Sequence, residues 1–476
     1  MVINDASKTR YQEKRTAHWD RVASLKESGA GACYHRRLQQ VYQFLVPPGQ
    51  RVLEIGCGSG DLLAYLQPAR GVGIDFSRPM VTRAQRLHPE LTFLQADGHD
   101  LPLAEEFDFI ILSDLVNDLW DVELVFQEVR KVTSPRSRLI INTQSPLWES
   151  PLWAAKKLAL ARPTLLQNWL TVEDVAGLLR LSDFEVVRAW EELLCPVALP
   201  LVATFLNRSV VKMWPFKKLA LTNFIVARPA PSEAQPTEPS VSVIVPARNE
   251  AGNIASIFAR TPRMGRETEL IFVEGHSTDG TYEAIEREAK AHPGQKSLLL
   301  QQTGAGKGDA VRLGFARARG DILMILDADL TVPPEYLPRF YEVLRSGKAE
   351  FANGVRLVYP MEKEAMRFFN LLGNKFFSQA FTWLLGQPIK DTLCGTKVLW
   401  KVDYERIAAQ RSYFGDFDPF GDFDLLFGAA KLNLKIGEIP IRYRERSYGT
   451  TNIQRWRHGW LLLKMVFFAV RRIKFV

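Results

Sequence analysis

The sequence predicts two α/β domains in tandem, each built from alternating strands, turns and helices. Three observations carry that expectation. The chain has 476 residues, more than one ordinary core accommodates. Arg228 to Pro239 places four prolines among small and acidic residues, a composition that continues neither a helix nor a central strand. On both sides of that break, short apolar runs end in glycines or acids and pass into helical patterns. The expected divisions are a lead over 1–33, a domain over 34–228, a linker over 229–240 and a domain over 241–476.

Composition narrows the class. An apolar fraction of 46% and a charged fraction of 24% belong to a folded protein. The four cysteines, Cys33, Cys57, Cys195 and Cys394, show no metal or redox spacing and read as reduced thiols of a cytosolic protein. Met1 to Asp20 is charged and lacks an apolar run, so no signal peptide is expected. A formal charge of +8 admits nucleic acid, anionic lipid or phosphate-rich ligands.

In the first half, an amphipathic helix is expected near Tyr34 to Leu45, then a strand at Arg51–Ile55. Gly56-Cys57-Gly58-Ser59-Gly60 follows, with a helix starting at Asp61. Such glycines let a ligand approach the backbone, and the helix N-terminus offers free N–H groups. The next strand, Gly71 to Asp75, ends in an acid at the distance suited to ribose hydroxyls. Strands at Leu91–Ala96 and Phe107–Leu112 end at Asp97 and at Ser113-Asp114.

With Glu54 just before a G-x-G-x-G loop and acids closing strands two and three, this half resembles class I S-adenosylmethionine-dependent methyltransferases, a Rossmann-like fold. The resemblance implies that Gly56, Gly58 and Gly60 face the methionine portion of S-adenosylmethionine and Asp75 the ribose. It also implies Asp97 beside the adenine, with Glu54 ordering the loop or reaching the methionine ammonium. Methyl transfer from a sulfonium can proceed largely by alignment, so a base is optional. His99, Asp114, Asn117 and Asp118 are candidates, each more often a loop or capping residue. Leu193 to Leu206, apolar but broken by two prolines, reads as core filling before it reads as an acceptor cover.

The second half opens with strand Val241–Val245 and Pro246-Ala-Arg-Asn-Glu250, then strand Glu269–Val273 and Glu274-Gly-His-Ser-Thr-Asp279. Gly304 to Arg312 precedes the stretch Gly320 to Leu330, read as a buried strand ending in Asp327-Ala328-Asp329. Alternation along a strand would put both carboxylates on one face, where their repulsion calls for a cation. Mg²⁺ or Mn²⁺ fits, taking few carboxylates and filling its other positions with diphosphate oxygens and water. An isolated D-x-D is more often a solvated strand end, so the surrounding residues decide.

Those residues are Gly306-Lys307-Gly308 with Arg312, Asp391-Thr-Leu-Cys-Gly-Thr-Lys397, Gly421-Asp-Phe-Asp424 and Arg446-Ser-Tyr-Gly-Thr-Thr451. On them, this half is similar to family-2 glycosyltransferases with a GT-A nucleotide-sugar domain, and most to the dolichyl- or polyprenyl-phosphate hexose transferases. The resemblance implies a nucleotide site lined by Pro246, Arg248, Glu250, Glu274 and Asp279, with Lys307 or Arg312 at the phosphates. Asp327 and Asp329 would hold the metal, and Arg446 would meet phosphate at the active centre. Three positions depart from the family: Gly275 follows Glu274 where a second acid is usual, Thr331 replaces a longer amide, and Asn452 replaces a basic residue.

The expected donor is a UDP- or GDP-hexose, transferred with inversion. A lipid-phosphate acceptor would be ionised and need no base, its second pKa lying at ~6. A hydroxyl acceptor would need a carboxylate, with Asp422 and Asp424 as candidates, one facing the site and one structural. Met366 to Leu385 and Arg455 to Lys474 are poor spanning helices but suit amphipathic helices in the headgroup region, Trp and Phe down and Arg/Lys towards anionic lipid. Basic residues cluster with bulky apolar ones and no nucleic-acid motif appears, which argues against nucleic acid.

Three readings follow. The first is a two-activity transferase, cytoplasmic and peripheral on the inner membrane face, that glycosylates a polyprenyl-phosphate or lipid-linked acceptor and methylates a glycan or lipid intermediate. The second extends a soluble or polymeric glycan; Gln454-Arg455-Trp456 lacks the spacer of the Q-x-x-R-W of processive synthases. The third makes the first half a non-catalytic sensor of S-adenosylmethionine.

Overall fold

The computed structural model describes residues 5–24, 32–158, 164–197, 199, 201–231, 238–356, 358, 368–411, 422–444, 446, 448 and 455–475. It divides into two compact units, one over Met1–Ala230 with Phe475–Val476 and one over Pro231–Lys474. Each is a mixed α/β unit on a seven-stranded sheet, the fold class expected.

The first sheet contains β1 (Arg51–Ile55), β2 (Arg70–Asp75), β3 (Thr92–Gln95), β4 (Phe107–Ser113), β5 (Thr133–Gln144), β6 (Phe184–Glu192) and β7 (Thr222–Pro229). Their order is β3-β2-β1-β4-β5-β7-β6, with β7 antiparallel to both of its neighbours. The order reverses between β1 and β4, so a crevice opens beyond the C-terminal ends of those strands. The strands read as near-continuous apolar runs because helices cover both faces: Val52, Leu53 and Ile110 through Leu112 are buried. Pro229 closes β7 opposite Phe184, so the strand takes the first residue of the expected linker.

Two other expectations change. The polar lead contains a helix, Asp5–Ser24, docked on the unit by the hydrogen bonds described below. Leu193 to Leu206 is not core filling: Leu193 and Ala203 are buried, whereas Val197, Leu199, Leu201, Val202 and Phe205 are exposed. The prolines keep the segment from forming one continuous helix, and a buried Asn207 fixes its backbone. The Asn207 Oδ1 accepts from the Leu194 and Cys195 N–H groups at 2.8 Å each, and its Nδ2 donates to the Cys195 carbonyl.

The second sheet contains β8 (Val241–Ala247), β9 (Thr268–Glu274), β10 (Lys296–Gln301), β11 (Ile322–Ile325), β12 (Phe351–Val355), β13 (Lys397–Trp400) and β14 (Ile436–Pro440). Their order is β10-β9-β8-β11-β13-β12-β14, with β13 antiparallel to β11 and β12. Again the order reverses beside the first strand, between β8 and β11. β11 ends at Ile325, short of the Asp pair, so strand alternation does not orient Asp327 and Asp329; a turn does, with Leu330 at φ 55°. Asp422 and Asp424 open the helix Asp422–Lys431 and do not alternate on a strand. The helical rotation nonetheless aims residues two apart in different directions.

One buried charge cluster braces the first unit. Glu192, at the end of β6, accepts from Arg37 at 3.0 Å and from the Trp190 indole at 2.9 Å, and pairs with Lys212. All three charged side chains are buried, so the carboxylate is the shared partner of two cations that water does not reach. We expect Glu192→Ala to destabilise this unit by about 3–5 kcal/mol, read from urea denaturation of the full chain. A loss below about 1 kcal/mol would place the cluster with ordinary surface pairs.

Candidate functional site

In the first unit the expected cofactor residues converge at the crevice. Gly56, Gly58 and Gly60 have φ of 74°, 51° and 78°, the left-handed region that favours glycine. A Cβ on Gly56 would lie 2.8 Å from Leu115 Cδ1, so the loop after β4 packs directly on the glycine loop. The two oxygens of Asp75 accept from the Gly58 N–H at 3.0 Å and the Ser77 N–H at 2.9 Å, pinning that loop while keeping lone pairs for hydroxyls. Glu54 is buried and its Oε2 has no hydrogen-bond partner. Burial, with Asp61 and Asp75 adding, pushes its carboxyl up to about 8 against one opposing backbone N–H from Leu63. A buried acceptor with no partner beside a glycine cradle fits the ammonium of S-adenosylmethionine.

Asp97 is already engaged. Its Oδ1 accepts from the His99 N–H and from His99 Nδ1 at 2.6 Å, and its Oδ2 from Gln12 Nε2 at 2.7 Å. Burial works to raise this carboxyl, but the bonds from His99 and Gln12 outweigh it and hold it at about 2. The other His99 nitrogen accepts from the Asp121 N–H, which assigns the neutral Nδ1–H tautomer and makes His99 a clip between loops. Asn117 is spent likewise, donating to the Asn168 carbonyl and accepting from the Gln144 N–H. Asp118 pairs with Arg15 at 3.0 Å and accepts from the Trp19 indole at 2.9 Å.

Asp114 differs. Its Oδ1 accepts from Tyr34 Oη at 2.7 Å and Asn142 Nδ2 at 2.6 Å, and Tyr42 Oη donates to the Asn142 Oδ1. Burial raises the Asp114 carboxyl despite those donors. Its backbone is held at φ 53°, a conformation a non-glycine residue keeps only under constraint. It adjoins Leu115 and therefore the glycine loop.

The helix Asp5–Ser24, which sequence reasoning missed, spans these strand ends. Tyr11 Oη and Arg15 Nε donate to the Asp118 carbonyl, Gln12 reaches Asp97, and Asp20 accepts from the Ser77 hydroxyl at 2.6 Å. Polar bonds, not an apolar stripe, dock it, so hydrophobic periodicity gave no signal. The spaced Tyr11, Arg15 and Trp19 were the available clue.

In the second unit the crevice gathers three acids and two cations. Asp327 pairs with Lys307 at 2.5 Å. Asp329 Oδ1 accepts from the Thr331 N–H at 3.1 Å and hydroxyl at 2.8 Å, so Thr331, a departure from the family, orients this carboxylate. Arg446 pairs with Glu250 and stands 3.7 Å from the other oxygen of Asp329. Burial and repulsion from Asp327 raise Asp329. Burial, with Asp329 and Asp279 adding and Arg446 opposing, pushes Glu250 up to about 7.

Gly395 leaves the room that Asp327 and Lys307 occupy; a Cβ there would collide with both. Its loop hangs on Asp391, fully buried and bidentate to Arg356 at 2.7 and 2.8 Å. Among the described residues, no three His, Cys, Asp or Glu side chains form a metal cage. The acid pair would therefore leave most of a hard cation's positions to diphosphate and water.

The remaining expected residues take varied places. Glu274 is buried and accepts from the Ser277 N–H. Asp279 accepts from the Ala251 and Thr281 N–H groups, at the starts of the two helices Ala251–Arg260 and Thr281–Ala291, and from Tyr448 Oη at 3.2 Å. Pro246 lies within β8 and Arg248 is exposed beyond it. Lys307 begins the helix Lys307–Arg317, on which Arg312 stands 4.0 Å from Asp309. Asp424 is buried; the Asp422 side chain, Gly421, Ser447, 449–452 and Gln454 lie outside the described residues.

The Glu54 carboxyl generates a prediction. With its carboxyl pushed up to about 8, Glu54 would have to ionise to pair with a methionine ammonium, so cofactor binding at pH 7 would release up to one proton. Calorimetry with S-adenosylhomocysteine in buffers of different ionisation enthalpy measures this. Glu54→Gln abolishes the release; a wild-type release of zero removes Glu54 from the ammonium site.

Residues 53–141 match the family model described as a methyltransferase domain, and residues 242–400 match glycosyl transferase family 2. A dolichol-phosphate mannosyltransferase of Saccharomyces cerevisiae is 41% identical over 109 residues, covering 22% of this chain and 40% of that protein. Another from Pyrococcus furiosus is 28% identical over 246 residues, 49% of this chain and 67% of that one. A low-salt glycan biosynthesis hexosyltransferase of Haloferax volcanii is 26% identical, covering 47% of this chain and 52% of its own. The chain thus spans from two fifths to two thirds of the length of these relatives. Among solved structures, a magnesium protoporphyrin IX methyltransferase from Synechocystis aligns at 17% identity with a TM-score of 0.33, over 48% of this chain and 100% of that one. By the two family models, the polypeptide carries a methyltransferase domain followed by a family 2 glycosyltransferase domain.

Proposed function

We propose that the glycosyltransferase domain moves a hexose from UDP- or GDP-hexose to a polyprenyl phosphate or lipid-linked acceptor, inverting the anomeric carbon. The methyltransferase domain then acts on a glycan or lipid intermediate of the same kind. The observation that carries this reading is the crowding of Glu250, Asp327 and Asp329 with Lys307 and Arg446 at the reversal of strand order. Three acids against two cations leave negative charge that a divalent ion would offset, and the bound ion would in turn attract a diphosphate.

A Mg²⁺ or Mn²⁺ held by Asp327 and Asp329 would neutralise the leaving diphosphate. Around it, Lys307 and Arg446 would exchange their carboxylate partners for phosphate oxygens, and Thr331 would keep Asp329 in place. An acceptor phosphate attacks as its own anion and requires no base; a hydroxyl would need Asp424 or Asp422. In the methyltransferase crevice, an acceptor hydroxyl oxygen would attack the sulfonium methyl carbon as the C–S bond breaks and S-adenosylhomocysteine leaves. The hydroxyl proton would pass to Asp114, positioned by Tyr34 and Asn142.

The helices Phe368–Leu385 and Arg455–Ala469 support attachment to an anionic membrane face. No described helix is long and apolar enough to cross a membrane. Phe376, Trp383, Trp460, Leu463 and Phe467 are nonetheless exposed. Cations sit over several of these rings: Lys474 at 5.2 Å from Trp383 and Arg471 at 4.5 Å from Phe467. Aromatic and cationic side chains in that mixture suit the headgroup region.

The test is a panel of UDP- and GDP-hexoses with Mg²⁺ or Mn²⁺, with and without polyprenyl phosphate. We expect metal-dependent transfer to the lipid, reduced about 10²–10³-fold by Asp329→Asn. Because burial raises that carboxyl, its ionised form opposes folding at neutral pH, and the metal-free variant should melt higher than the parent. Transfer only to added oligosaccharide would contradict the lipid acceptor and favour glycan extension.

A further inference from the structure

The chain leaves β5 at Gln144 and β6 at Glu192, and enters β7 at Thr222, all at the same end of the sheet as the glycine loop. The connecting segments, 145–158 and 193–221, join there. The Ser145 N–H donates to the Leu221 carbonyl at 2.7 Å, the Leu221 N–H to the Leu193 carbonyl, and the Trp148 indole to the Leu219 carbonyl. Together they form a ridge with an unusual outer side. Leu201 is 85% exposed, Trp214 78%, Leu147 63% and Phe205 61%, with Trp153 and Leu219 close behind. Soluble surfaces rarely present so many large apolar side chains together.

The ridge is braced from beneath. Asn207 ties down the Leu194–Cys195 backbone, and Lys212 is locked into the Glu192 cluster. The apolar side chains therefore point outward from a fixed frame.

Charge selects the occupant. From Leu193 to Leu221 the sequence contains no Asp or Glu. Lys218 is exposed and Lys217 half-buried there, and Lys156 and Lys157 lie on the neighbouring helix Glu149–Lys157, with Lys157 stacked 3.8 Å above the Trp153 ring. Against them stand the exposed Glu149 of that helix and Glu191, 3.6 Å from Lys217, so cations outnumber acids among the tryptophan, leucine and phenylalanine side chains, a mixture that matches the boundary between acyl chains and anionic headgroups.

We propose that this ridge seats the methyltransferase domain on an anionic lipid bilayer. Its consequence for substrate rests on the methyltransferase reading above. The ridge runs into Thr222, whose hydroxyl meets Tyr34 Oη at 3.4 Å, and Tyr34 donates to Asp114. The acceptor pocket then opens beside the bilayer and takes a methyl acceptor with a lipid anchor.

The test measures partition of the full chain onto vesicles of phosphatidylcholine with and without phosphatidylglycerol. Leu201→Ser, Phe205→Ser and Trp214→Ser combined should weaken partition onto the anionic vesicles about tenfold. The loss should appear both in the parent and in a Trp460→Ser, Phe467→Ser background, which removes the other contact. Lys217→Glu with Lys218→Glu should reduce the preference for anionic vesicles. These side chains are exposed or half-buried, so unchanged melting curves verify folding. Unchanged partition in both backgrounds overturns the proposal. So does a concentration-dependent dimer that the serine variants abolish while vesicle binding persists, since the face would then belong to a second copy. Failure of the unaltered chain to bind S-adenosylhomocysteine would instead refute the methyltransferase reading and leave the docking result standing.

Discussion

Buried negative charge at the ends of parallel strands governs both domains. Glu54 sits behind the glycine loop with an unpartnered oxygen and a carboxyl pushed up to about 8. Burial raises both Asp329 and Glu250, with Asp327 adding to the first and Asp329 to the second. None of these acids is placed where the protein alone makes ionisation favourable. On the proposed function, a positive group from outside would complete each arrangement, an ammonium in one crevice and a divalent ion in the other. Stability forgone at these carboxylates would then be recovered as affinity when the ligand arrives.

The surrounding structure serves to hold those acids in place. In the first domain, Asp75 fixes the glycine loop, His99 clips Asp97, and the helix Asp5–Ser24 bridges Asp97, Asp118 and Ser77. In the second, the buried Arg356–Asp391 pair carries the loop whose Gly395 lies against Asp327 and Lys307, and Thr331 turns Asp329 inward. Two of the family's motif residues thus act by positioning others. Asp391 is engaged with Arg356 and the Leu393 N–H, and Asp279 joins the starts of two helices.

What the sequence disclosed follows from the same physics. β1, β2, β4 and β9 are short apolar runs ended by glycine or acid and β8 is one ended by proline, and their positions were legible within a residue or two. The strand order was not, because inserting β7 between β5 and β6 depends on pairing between distant residues. The Asp pair was found by its spacing, but its orientation comes from a turn that alternation does not describe. The helix Asp5–Ser24 stayed hidden because polar bonds dock it. The ridge was misread for the opposite reason: hydrophobicity along Leu193 to Leu206 does not reveal which side faces solvent. Thr331 read only as a departure from the family, whereas its two hydrogen bonds to Asp329 appear only in three dimensions.

The central claim is that a divalent ion and a nucleoside diphosphate together complete the acid cluster of the glycosyltransferase domain. Electron paramagnetic resonance of Mn²⁺ titrated into the full chain, with and without UDP or GDP, tests it directly. The account predicts weak Mn²⁺ binding alone, at least about tenfold tighter binding with one of the two nucleotides, and loss of that enhancement in Asp327→Asn. Enhancement that survives in Asp327→Asn, or its absence with both nucleotides, would contradict the account.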